Sequence, residues 1–136
     1  MPTLRRESRA IALQTLFECD TVRHDSGEVL ERHLGDSNLP AEGAKFAREL
    51  VDGVVSNLDR LDEIIAGAAP SWPVGQMAKI DKNILRLAIY EILIDNRVPV
   101  KAAINEAVEL AKRFGSESSS RFINGVLGTV VAQSGK

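Results

Sequence analysis

Apolar residues recur every three to four positions along most of the chain, which sets them on one side of an α-helix. Alternating β-branched runs are few, and no Asn-Gly or Asp-Gly pair separates two strand-like segments. In "TLRRESRAIALQTLF", Thr3 to Phe17, the residues Ala10, Leu13, Leu16 and Phe17 mark the inner side of a first helix. Arg5, Arg6 and Arg9 extend that stripe toward the N-terminus. A short helix is expected around Glu28 to Leu34, closed by Gly35. "NLPAEGAKFARELVDGVVSNLDRLDEIIAGA" carries Pro40 at a first helical position, then Phe46, Leu50, Val54, Leu58, Leu61 and Ile65 on one side. Ser56 followed by Asp59 has the pattern of an N-cap, so the stretch divides into two helices meeting at an angle.

"PSWPVGQ" breaks the pattern with two prolines and a glycine. It marks the expected boundary between an N-terminal bundle, about residues 1–70, and a C-terminal bundle, about 71–136. Beyond it, "KIDKNILRLAIYEILI" places Ile80, Ile84, Leu85, Leu87, Ala88, Ile89, Ile92 and Leu93 around most of the helix circumference, as suits a central helix packed on several sides. Arg86 inside this pattern is expected to be structural, its stem packed and its head paired with an acidic neighbour. Val98 and Pro99 lead into a helix with the stripe Ile104, Ala107, Val108, Ala111 and Phe114, stopped by Gly115. Ser116 to Ser119 form a turn rich in capping residues, and a last helix follows with Phe122, Ile123, Val126, Leu127 and Val130. Gly125 and Gly128 within it cost about 1 kcal/mol each in propensity, for which close helix packing would be the motive. The expectation is an all-α fold of about seven helices in two small bundles, without internal repeats.

A chain of 136 residues, 44% of them hydrophobic, can bury a core of its own. Lys and Arg number 17 against 19 Asp and Glu, and the net charge of −2 gives no whole-molecule field that would draw a polyanion. Charge is uneven, however: Arg5, Arg6 and Arg9 against Glu7 give the first nine residues +2 and leave −4 on the rest, so any anion binding is local. Exposed cations at a helix start oppose the macrodipole by about 0.3–1 kcal/mol each, so something besides helix stability selects them.

Cys19 is the sole cysteine, which excludes an intrachain disulfide and a Cys-based zinc site and suits a reducing compartment. Among apolar neighbours it is expected to be a buried, inert thiol. His24 and His33 lie nine residues apart, neither an i,i+4 metal pair nor a partner for a nucleophile, and read as surface histidines. No Gly-rich phosphate loop follows a strand. An enzyme, a metal and a cofactor are therefore not expected. No stretch approaches the roughly 20 apolar residues that span a bilayer, and the N-terminus lacks a signal-peptide core. The cytoplasm is the expected location, with no membrane partner.

"KIDKNILRLAIYEIL" followed by "VPVKAAINEAVELAKRFGSESSSRFINGVLG" resembles the C-terminal signature of the NusB family of bacterial transcription antitermination factors. "RRESRAIALQTLF" and Trp72 ahead of the central helix fit it too, so the resemblance covers nearly the whole chain apart from residues 24 to 40. It implies two three-helix bundles with a linking helix. It also implies binding to boxA, a single-stranded element in nascent ribosomal RNA leaders, together with NusE, a protein that doubles as a small-subunit ribosomal component. That assembly is part of a Nus complex that helps RNA polymerase read through terminators.

The resemblance places Arg5, Arg6 and Arg9 on the family's RNA surface, where guanidinium groups neutralise phosphates and stack on unpaired bases. From the residues alone, the same arginines are a solvated helix end. Phe17 stands where relatives often have a tyrosine beside the RNA, and it divides evenly between core and stacking contact; Gln14, one turn from the arginines, is either exposed or in reach of a base edge. Lys112, Arg113 and Arg121 flank the serine turn, a second candidate surface. Ser118 replaces an acidic residue common in relatives, which removes both a repulsion to phosphate and a base acceptor. Asp81 matches another acidic family position near RNA, or supports the start of the central helix electrostatically. Tyr90, Glu91 and the half after Trp72 are where a NusE surface is expected. The alternative from another class is a helical protein-binding adaptor without RNA, and self-association as a homodimer stays open.

Overall fold

The computed structural model describes residues 4–22 and 25–135 of the chain. His24 lies outside them. Among the described residues there are seven α-helices and no strand. They divide into two compact units, residues 1–56 and 57–136.

The first unit holds α1 (Leu4–Val22), α2 (Ser26–Gly35) and α3 (Ala41–Ser56). α1 packs on both α3 and α2. Its inner side buries Ala10, Leu13 and Leu16, and α3 buries Phe46, Leu50 and Val54, as their spacing predicts. Gly43 of α3 lies close against Leu4 of α1. A Cβ there would stand 2.7 Å from Leu4 Cδ1. Beside it the Ser8 hydroxyl is within 2.9 Å of both the Leu4 and the Gly43 carbonyls, so one small polar residue ties the two helices with no bulk between them. α2 starts on Asp25, whose carboxylate accepts the Glu28 N–H at 3.0 Å. Glu18 holds it to α1 through Arg32 and His33, and a bidentate Arg48–Glu31 pair at 2.8 and 2.9 Å holds it to α3. Hydrogen bonding from Arg32 lowers the Glu18 pKa, and Arg48 does the same for Glu31. His33 is therefore half-buried against a carboxylate rather than a plain surface histidine.

The second unit holds α4 (Leu58–Ala68), α5 (Lys79–Ile89), α6 (Val100–Phe114) and α7 (Ser119–Ser134). The division between units falls ahead of α4 rather than at the Pro-rich segment, because α4 packs on α5 and α7. Leu61 and Ile65 are fully buried. Two helices do meet at Ser56, but the cap suggested by Ser56 and Asp59 is not made: α4 begins after Asn57 without a side-chain cap bond. α5 packs on α4, α6 and α7, and every residue from Asn83 to Ile89 is buried, as a central helix requires. Arg86 donates to Asp62 of α4 through two bonds of 2.8 Å and to Asn83 Oδ1 at 3.2 Å, which meets the expectation of a packed stem and a paired head.

α5 runs into a π-helical turn, Tyr90–Asp95, that ends on Asn96 in the left-handed conformation at φ 58°. The Asn96 N–H bonds the Glu91 carbonyl five residues back, at 3.1 Å. The stripe of α6 is rotated from the expected one: Ala103, Ala107, Leu110 and Ala111 are buried, whereas Ile104, Val108 and Phe114 are half-buried. Gly115 does follow the end of α6, and the turn leaves no room for a side chain on it, since a Cβ would stand 2.5 Å from Ser119 Oγ and 2.8 Å from the Ala111 carbonyl. Gly125 and Gly128 depart from expectation. Both are exposed and a Cβ on either would meet nothing within 4 Å, so no close packing explains them.

Candidate nucleic-acid interface

The first unit presents the arginines of α1. They do not form one solvated cluster. Arg5 and Arg9, one turn apart, both reach the ring of Phe46 on α3, with guanidinium carbons 4.8 and 5.4 Å from its centroid. Arg9 is only 5% exposed, so the picture of a loose helix end fails for it: its stem fills space between α1 and α3. Arg5 lies over the same ring yet is exposed. Arg6 projects about 100° further round α1 and is half-buried. Gln14 is exposed, and Phe17 is 38% exposed, so a ring at the edge of the core stays open to solvent. Cys19 is half-buried, with its thiol pKa raised by burial and by the nearby Glu18 and Asp25 carboxylates, which makes it a poor nucleophile at neutral pH.

The second unit brings Asp81 and Ser118 together in one hollow. About 460 Å³ in volume, it is lined by Trp72, Ala78, Asp81, Ser116, Ser118, Arg121 and Phe122. Trp72 is 54% exposed and tilts at 51° to the Phe122 ring, their centroids 5.8 Å apart. Asp81 Oδ1 is buried and makes no hydrogen bond among the described residues. An aromatic wall, an acceptor without a partner and the cation of Arg121 thus share a small volume. The serine turn owes its shape to Ser119 rather than Ser118: the buried Ser119 Oγ accepts the Ser116 N–H at 2.9 Å, while Ser118 makes no cap bond and is exposed. Lys112 and Arg113 are exposed at the end of α6, outside the lining of this hollow. Lys112 is 3.6 Å from Glu109, and Arg113 lies 4.8 Å over the Phe114 ring.

Glu91 is 2% exposed, which removes it from any protein-docking surface, and Tyr90 is half-buried. Sequence pattern does not mark Phe46 or Phe122 as site residues, because helical spacing assigns both to the core, whereas Arg121 beside the serine turn is expected from the sequence. An exposed tryptophan in a Pro-rich loop is the available signal for the hollow. Among the described residues, no group of His, Cys, Asp and Glu is placed to hold a metal, and no helix is long and apolar enough to cross a membrane.

The NusB family model matches residues 6–132. The chain belongs to the NusB family. The transcription antitermination protein NusB of Roseiflexus sp. strain RS-1 is 55% identical over 135 residues, covering 98% of this chain and 95% of that protein. T. maritima NusB has the same fold, with a TM-score of 0.90, 33% identity and coverage of 98% and 94% of the two chains. A structure of the antitermination factors NusB and NusE in complex with dsRNA superposes with a TM-score of 0.89 over 98% of this chain and 99% of that one, at 23% identity. At that identity the likeness is one of fold. The NusB architecture accounts for the all-helical order seen here.

Proposed function

We propose that this NusB-family protein binds boxA-type single-stranded RNA together with NusE, and that it acts in the cytoplasm, by binding rather than catalysis, within a Nus complex on RNA polymerase. The observation that carries the RNA reading is Arg5, a cation kept exposed at a helix start, where it lowers helix stability, and set over an aromatic ring. Arg6, Gln14 and Phe17 supply a second cation, a hydrogen-bonding amide and an open ring on the same helix. In the second unit, Trp72 offers a stacking face of the kind worth about 1–3 kcal/mol per base, and Asp81 lines the hollow beside it. Ser118, Arg121, Lys112 and Arg113 add donors and charge. Arg9 takes part through the packing of α1 on α3.

Because these groups are few in a chain of net charge −2, RNA affinity alone is expected to be weak, and a second protein holding the same RNA raises it through effective concentration. Titration of labelled boxA RNA, with and without NusE, tests this. Binding tightened by NusE is the expected result. Equal affinity in both titrations overturns the cooperative reading, and no binding in either leaves the chain a helical protein adaptor.

A further inference from the structure

We propose that Phe46 is a positioning residue for RNA: its ring holds the Arg5 guanidinium in the orientation in which it meets the ligand. The inference rests on the RNA reading of Arg5 above. Phe46 is 5% exposed, so the core fixes its ring rigidly, yet one α1 arginine over that ring is exposed and the other is buried. Arg9 packs the inner approach to the ring. Arg5 takes the position with solvent access, 4.8 Å from the centroid.

A guanidinium over an aromatic face is attracted through the ring quadrupole and keeps its N–H donors along its own edge, available to phosphate or base. A free arginine has many rotamers, and binding would have to select one. An arginine already resting on Phe46 has made that selection, so less freedom is lost when RNA docks. Ser8 and Gly43 make this possible, since only a close approach of α1 to α3 brings a residue on one helix over a ring on the other.

Phe46→Leu keeps an apolar side chain and removes the π face. It is expected to weaken boxA binding by about two- to fivefold, the size of an exposed cation–π contact, with the salt dependence unchanged because no charge is removed. Phe46→Tyr should bind as the parent does. Once Arg5→Ala has been made, Phe46→Leu should cost no further affinity. NMR of the parent protein gives a measurement independent of any variant's folding: the Arg5 δ-methylene protons should be shifted upfield by the ring current. Parent-like binding by Phe46→Leu, losses that multiply in the double variant, or unshifted Arg5 protons would each overturn the proposal. If Arg5→Ala itself binds as the parent does, the RNA reading of Arg5 fails first.

Discussion

Gly43 and Gly128 are both glycines inside helices, and their surroundings give them opposite values. Gly43→Ala would push a methyl group to 2.7 Å from Leu4 Cδ1 and 3.2 Å from Leu39 Cδ2, and those two side chains would have to repack. A loss of about 1–3 kcal/mol is expected, read as a lower denaturant midpoint. Gly128→Ala meets open space and should raise stability by up to about 1 kcal/mol. Sequence pattern singles out Gly125 and Gly128 and passes over Gly43, because a propensity penalty can be read at any helical glycine but the atom a side chain would strike cannot. The same blindness hides Phe46. Its spacing with Leu50 and Val54 correctly makes it core, and nothing in that spacing tells that two arginines of another helix lie on its ring.

Among the elements, α5 is the most legible. Apolar residues round most of its circumference admit only a helix packed on several sides, and α4, α6 and α7 pack on it. Arg86, the one charged residue in its buried run from Asn83 to Ile89, follows from the same logic, for a buried cation needs a partner. Arg86→Ala would strand Asp62 and Asn83 without their donor in a part-buried site, and a loss of about 3 kcal/mol is expected, seen as a lower thermal midpoint with little change in RNA affinity for the fraction that is folded. Reduced RNA binding at unchanged stability would make Arg86 a binding residue instead. α6 is less legible. Its composition of small and branched residues supports two neighbouring stripes, and only contact with α5 and α7 selects the one through Ala103 and Leu110.

Taken whole, the molecule carries no general attraction for RNA, so its salt dependence should report a few individual ion pairs with phosphate. Arg5→Ala combined with Arg6→Ala is expected to lower the log–log slope of boxA binding against salt by about 0.7 for each phosphate that these arginines neutralise in the parent protein. Stability should change little, since the unfavourable dipole at the helix start is set against the contact of Arg5 with the Phe46 ring. A parent-like slope would remove both from the RNA surface. Arg9→Ala should behave differently and lower stability, because its stem is buried. The order and number of helices can be read from apolar spacing, and the resemblance supplies the function. The split of the arginines into one packed and one presented cannot be read that way, since Arg5 and Arg9 occupy equivalent places in the repeat.

The π-helical turn has a consequence for chain length. A turn that bonds five residues back holds one residue more than an α-helical turn would, so Tyr90–Asp95 amounts to one residue added to the last turn of the central helix, ahead of Asn96. Deleting one residue there would restore ordinary winding and turn everything after it by about 100° relative to α5. The extra residue therefore works as a phase shift: it sets the direction in which the chain leaves the central helix, and so where α6 begins its return.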